Sequence, residues 1–144
     1  MLYIASDHAG LNLKEKIKVF LNEQGIKYKD LGTHSTESVD ASDYAVNMAK
    51  QIKNKPHDKG VLICGSGIMM SIVANRFPWV RAALAWTPAI AKQAREHNNA
   101  NVLVLSGRES SPKNWKEIIV IFLDTKPLTL AKYKKRLQKL NKIK

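Results

Sequence analysis

Val61-Leu62-Ile63-Cys64-Gly65-Ser66-Gly67-Ile68 decides how this chain folds. Three apolar residues run into the only cysteine, a glycine-serine-glycine turn follows, and an amphipathic stretch begins at Ile68. That order reads as a buried strand, a tight turn and the start of a helix. A thiol in such a turn lies at the positive end of the helix. Backbone N–H groups and the helix dipole there favour a thiolate and can hold an oxyanion beside it. The expectation is a small enzyme that uses a thiolate as base or nucleophile on a small anionic substrate.

The same alternation extends outward in both directions. Residues 2–6, 26–31, 60–63, 80–86 and 101–105 are short apolar runs and read as strands. Between them, 11–24 carries Leu13, Ile17, Phe20 and Leu21 at helical spacing, and Gly25 closes it. Residues 39–53 read as helix through Tyr44, Met48 and Ile52, and 68–75 as a shorter one. Thr87-Pro88 supplies an N-cap and a first helical residue for a helix to about residue 96. Ser111-Pro112 is expected to open the next helix in the same way, ending near Leu123, and a last helix spans about 128–142 after Pro127. Strands separated by helices imply right-handed crossovers and a parallel sheet with helices on both faces. The expected fold class is therefore α/β: a three-layer sandwich, a five-stranded parallel sheet and an extra C-terminal helix, in one domain over residues 1–144.

Composition narrows the function classes. A single cysteine excludes an intrachain disulfide and any multi-cysteine metal site, and fits a reducing compartment. The N-terminal stretch lacks a basic region and meets Asp7 early, unlike a signal peptide, and no run approaches the ~20 apolar residues of a membrane span. A soluble, cytoplasmic protein is expected, with no membrane partner. The formal net charge is +12, and Lys126, Lys132, Lys134, Lys135, Arg136, Lys139, Lys142 and Lys144 are met by no acid in the tail. Such a tail can bind nucleic acid. Glycine-flanked aromatics interleaved with the cations, which would favour RNA, are absent, so a solvated lysine-rich face is the preferred reading.

Ligands of open parallel sheets bind at the carboxyl ends of the strands. That rule selects Asp7-His8, Cys64–Gly67 and Gly107-Arg108. His97-Asn98 is less simply placed, since it ends a helix before the fifth strand. Each has a plainer reading: a structural cysteine, an Asp helix cap with a solvated histidine, a histidine on a helix dipole, a loop arginine. Converging on one sheet edge, they would offer a base, an acid, a polar contact and phosphate-binding cations. Gly65-Ser66-Gly67 is no dinucleotide fingerprint, because Met70 stands where a third glycine or alanine belongs. Met70 also stands where a cysteine phosphatase needs its arginine.

Ala5-Ser6-Asp7-His8-Ala9-Gly10 resembles the N-terminal signature of the family shared by ribose-5-phosphate isomerase B and galactose-6-phosphate isomerase. Ile63-Cys64-Gly65-Ser66-Gly67 with Ala74-Asn75-Arg76-Phe77 is similar to that family's catalytic turn and following helix. Val80-Arg81-Ala82-Ala83, the stretch from Glu96 to Leu103 and Gly107-Arg108 match as well. The resemblance implies a Rossmann-like domain and a homodimer or tetramer with sites at the subunit interface. It implies interconversion of ribose 5-phosphate and ribulose 5-phosphate, a pentose phosphate pathway step, with no cofactor and no metal. Cys64 then corresponds to the base, and the backbone N–H groups of Gly65, Ser66, Gly67, Ile68 and Met69, helped by the Ser66 hydroxyl, to the catalytic turn that holds the enediolate oxygen. Asp7 corresponds to the group on the shifting hydroxyls, His97 to the acid that opens the sugar ring and Asn98 to a substrate contact. His8, Arg108 and Arg136 correspond to phosphate contacts, and the C-terminal helix is expected to pack on the partner subunit.

The chain departs from the family at several of these positions. Met69 replaces a usual glycine, Asp40-Ala41-Ser42 replaces an Asp-Tyr-Pro segment, and Lys132-Tyr133 replaces an arginine-histidine pair. Lysine binds phosphate as a point charge, without arginine's fork. Met70 stands where some relatives carry a glutamate base, which leaves that role with Cys64. A galactose- or allose-6-phosphate isomerase of the same family is the alternative within the class, since Ala41 would widen the pocket. A non-catalytic domain that binds nucleic acid or another anion is the alternative outside it.

Overall fold

A computed structural model describes residues 1–108 and 111–143. The chain runs β1 (Leu2–Ser6), α1 (Leu11–Glu23), β2 (Tyr28–Asp30), α2 (Ala41–Ile52), β3 (Lys59–Cys64), α3 (Ile68–Ala74), β4 (Ala82–Leu84), α4 (Pro88–Asn98), β5 (Val102–Ser106), α5 (Trp115–Asp124) and α6 (Ala131–Leu140). All strand pairs are parallel, in the order β2-β1-β3-β5-β4. The α/β expectation is met, with the extra helix in place.

Side chains alternate across the sheet, as period-two strands require. Leu2, Ile4, Val61, Ile63, Leu103 and Leu105 join the core formed with α1, α4 and α5. Tyr3, Ala5, Leu62, Cys64, Val102 and Val104 join the core formed with α2 and α3. Both faces are covered, so the inner strands read as continuous apolar runs. The strand order reverses between β1 and β3: one hands the chain outward to β2, the other, across β5, to β4. The carboxyl ends of β1 and β3 therefore flank the sheet's switch point, where such folds open a crevice. Asp7 follows one strand and Cys64 ends the other.

Boundaries differ from expectation where side chains or turns take over hydrogen bonds. β4 is shorter than 80–86 because Val80 N–H closes a turn onto Phe77 and Arg81 N–H donates to Asn101 Oδ1. The second strand shrinks to Tyr28–Asp30. Ser111-Pro112 does not open α5. Ser111 N–H bonds the Arg108 carbonyl and Trp115 N–H the Pro112 carbonyl, so the pair forms a turn and the helix starts at Trp115. Thr87 caps α4 as expected, accepting from Ile90 N–H at 3.2 Å with Pro88 in the first turn.

Candidate active site

Cys64 ends β3 buried, with its sulfur turned toward α3. Gly67 N–H donates to Cys64 Sγ at 3.2 Å, and Ile68 N–H donates to Ser66 Oγ at 3.2 Å. Two backbone donors are thus engaged inside the turn, leaving Gly65, Ser66 and Met69 as those it can offer a bound oxygen. The turn needs Gly67: its φ is +82°, and a Cβ there would lie 2.4 Å from Leu84 Cδ1. From the far side, Ser106 Oγ donates to the Gly65 carbonyl at 2.7 Å and Gly107 N–H to the Cys64 carbonyl at 2.8 Å. The end of β5 therefore holds the thiol turn in place.

The loop after β1 lies directly on this strand end. A Cβ on Gly10 would come within 2.3 Å of the Ile63 carbonyl oxygen, so only glycine permits the approach. Asp7 N–H donates to Ile63 O at 3.2 Å, which ties Asp7 to the strand carrying Cys64. Its Oδ1 accepts from Gly10 N–H at 2.9 Å, leaving the second oxygen for a ligand. Val39 N–H donates to His8 Nδ1 at 3.2 Å, so a neutral His8 carries its proton on Nε2. Asp7, Ala41, Cys64, Gly65, Ser66, Met69 and Arg108 line one cleft of about 890 Å³. The Arg108 side chain lies along Gly65, within 3.5 Å of where a Cβ would stand.

Four expected site residues lie elsewhere, and for His97-Asn98 this corrects the expected convergence on one sheet edge. α4 runs back against the strands, so His97 and Asn98 reach the amino end of β5, where Asn99 and Asn101 carbonyls bond Arg81 and Gly60. β5 rises about 13 Å from there to Ser106, at ~3.3 Å per residue. His97 stacks on Tyr133 of α6, ring centroids 4.6 Å apart and 7° from parallel. Lys132 Nζ and the Arg136 guanidinium lie 4.9 and 5.6 Å from the same ring. The expected residues thus form two clusters at opposite ends of one chain. Tyr133, which joins the second cluster, was legible only as a departure from the family pair. Ser106 was missed, although a serine closing an apolar strand beside the cysteine strand was its signal. Among the described residues no three His, Cys, Asp or Glu side chains stand as a metal site, and no helix is long and apolar enough to cross a membrane.

A thiol, a carboxylate and a glycine turn at the switch point of a covered parallel sheet define an α/β enzyme with a thiol-centred cleft. A sequence model of the ribose/galactose isomerase family matches residues 2–140. The ribose-5-phosphate isomerase B of Escherichia coli is 40% identical over 102 residues, 71% of this chain and 68% of that one. The Thermotoga maritima ribose 5-phosphate isomerase structure superposes with a TM-score of 0.92 at 44% identity, covering 99% of this chain and 97% of the other. The Mycoplasma genitalium ribose-5-phosphate isomerase B with bound ribulose-5-phosphate gives 0.90 at 35%, covering 97% and 93%. The chain belongs to the ribose/galactose isomerase family, and it is a sugar-phosphate isomerase.

Proposed function

We propose that this protein interconverts ribose 5-phosphate and ribulose 5-phosphate through an enediolate, with Cys64 as the base. The observation that carries the reading is the thiol itself: Cys64 Sγ, held by Gly67 N–H, lines the same cleft as Asp7 at the switch point. Cys64 as thiolate takes the proton from C2 of the open-chain aldose and returns it to C1. Negative charge develops meanwhile on the carbonyl oxygen, beside the backbone donors of the turn, where such donors stabilise it most. Asp7, through its unengaged oxygen, carries the proton exchanged between the two hydroxyl oxygens. No net proton or electron is gained or lost. Phosphate held by His8 and Arg108 orients a flexible sugar, converting remote binding energy into alignment.

His97, Asn98, Lys132 and Arg136 enter this scheme through a second copy of the chain. A two-fold axis running across the strands would set the carboxyl end of one sheet beside the amino end of the other. Each cleft would then gain the partner's ring-opening histidine and two phosphate cations. The exposed apolar side chains beside the thiol turn, Ile68, Met69 and Ile72, support such a contact.

Ala41 lines the cleft, and the family description spans ribose and galactose, so chain length of the sugar is the variable to measure. A panel of tetrose, pentose and hexose phosphates, followed by proton NMR in deuterated water, is the test. Ribose 5-phosphate should give the highest kcat/KM, with deuterium entering at C1 of the ketose. A higher kcat/KM on a hexose 6-phosphate would transfer the assignment to that substrate.

A further inference from the structure

Lys14 on α1 has a fully buried side chain and does not line the thiol cleft. Its Nζ donates to Asp30 Oδ1 at 2.8 Å and to the Thr33 carbonyl. Burial raises the Asp30 carboxyl, but the bonds from Lys14, Gly32 N–H and Lys18 outweigh it, so the group titrates below its ordinary value. A buried ion pair adds little stability over an apolar pair of the same size. What this pair does is geometric. Asp30 Oδ1 also accepts from Gly32 N–H at 2.9 Å. The Gly32 carbonyl accepts from Ser6 N–H, and Thr33 N–H donates to the Ser6 carbonyl, both at 2.7 Å. Ser6 is bonded to Asp7 in the chain. Asp7 Oδ1 accepts from Gly10 N–H, and the Gly10 carbonyl accepts from Lys14 N–H at 2.9 Å. The contacts close a ring: Lys14, the loop at Asp30–Thr33, Ser6, Asp7, Gly10 and Lys14 again. The same loop continues to Val39, whose N–H orients His8.

We infer that Lys14, with Asp30, is a positioning residue: the ion pair fixes the loop that clamps Ser6, and thereby sets the Asp7 carboxylate against the thiol cleft. The inference rests on the proposed role of Asp7. A displaced carboxylate costs turnover steeply, since misplacement by about 1 Å can cost on the order of 10²-fold. Folding should survive the change. With methionine at position 14, Asp30 keeps Lys18, whose Nζ lies 2.9 Å from Oδ2. Asparagine at position 30 still accepts from Gly32 N–H.

The test compares Lys14→Met, Lys14→Met/Asp30→Asn, Asp7→Asn and Lys14→Met/Asp7→Asn by kcat, KM and denaturant midpoint, per folded molecule and well below the unfolding transition. Lys14→Met and Lys14→Met/Asp30→Asn should each lose roughly 10- to 100-fold in kcat while folded. In the Asp7→Asn background, Lys14→Met should cost less than about threefold more, because both changes disable one carboxylate. A purely structural Lys14 would move the midpoint and leave kcat per folded molecule unchanged, which overturns the inference. Fully multiplicative losses in Lys14→Met/Asp7→Asn overturn it as well. If Asp7→Asn is slow while both clamp variants turn over like wild type, the clamp fails and the reading of Asp7 stands. If Asp7→Asn turns over like wild type, the role of Asp7 fails and the inference falls with it.

Discussion

At the scale of the residue, the account turns on one sulfur atom. Cys64 is the last residue of a buried strand, and its sulfur is held by a backbone N–H from its own turn. Cys64→Ala should keep the fold, because a methyl fits where the thiol was, but should lose at least the ~10²–10⁴-fold in kcat that a positioned base supplies. Turnover like wild type in the purified variant would remove Cys64 from the mechanism. The position of this cysteine was legible in the sequence because its neighbours say where it lies: an apolar run before, glycines after. Its partners were less so. Nothing in Ser106 or Val39 as letters shows that one carries the Gly65 carbonyl and the other orients His8. Those contacts come from strand register and loop path, which pair residues 41 and 31 positions apart.

At the scale of the element, apolar runs, glycines and prolines placed the strands and helices well, since each marks a local backbone event. β1 matches residue for residue, and Thr87-Pro88 opens α4 as its chemistry suggests. Ser111-Pro112 has the same chemistry and does not open α5, because its neighbours bond it back to Arg108 and Trp115 as a turn. Local signals cannot distinguish those two uses. The buried pair joining α1 to the end of β2 was silent for the same reason: Lys14 sits in a helix rich in lysine. It has a measurable consequence. Asp30→Asn leaves buried Lys14 with only the exposed Glu15 carboxylate, 4.0 Å away, and breaking a buried pair typically costs about 3–5 kcal/mol. A carboxyl held below its ordinary value contributes stability above the unfolded value of ~3.9 and loses it as pH falls further. Urea denaturation should therefore show a wide gap between wild type and Asp30→Asn at pH 7 that narrows near pH 3. An equal gap at both values would mean that the stability does not come from the ionised carboxyl.

At the scale of the whole molecule, the parallel sheet separates what the proposed mechanism brings together. A single chain holds thiol, carboxylate and glycine turn at one end, and His97, Lys132 and Arg136 at the other. Residue order already pointed this way for His97-Asn98, which end a helix just before the fifth strand, because a helix returning across a parallel sheet delivers its last residues to the strands' amino ends. The tail cations have a place in this arrangement. Among the described residues none of Lys126, Lys132, Lys134, Lys135, Arg136, Lys139 and Lys142 is in an ion pair, so the face stays strongly positive and suits a phosphorylated substrate. The most direct measurement mixes two variants, Cys64→Ala and Arg136→Ala, each deficient in turnover, under conditions that exchange subunits. Random exchange makes about half the dimers mixed, and each mixed dimer carries one intact cleft, so activity should rise to about a quarter of wild type. Mixed dimers verified by native mass spectrometry, with activity no higher than the average of the two variants, would contradict a cleft completed by a second copy.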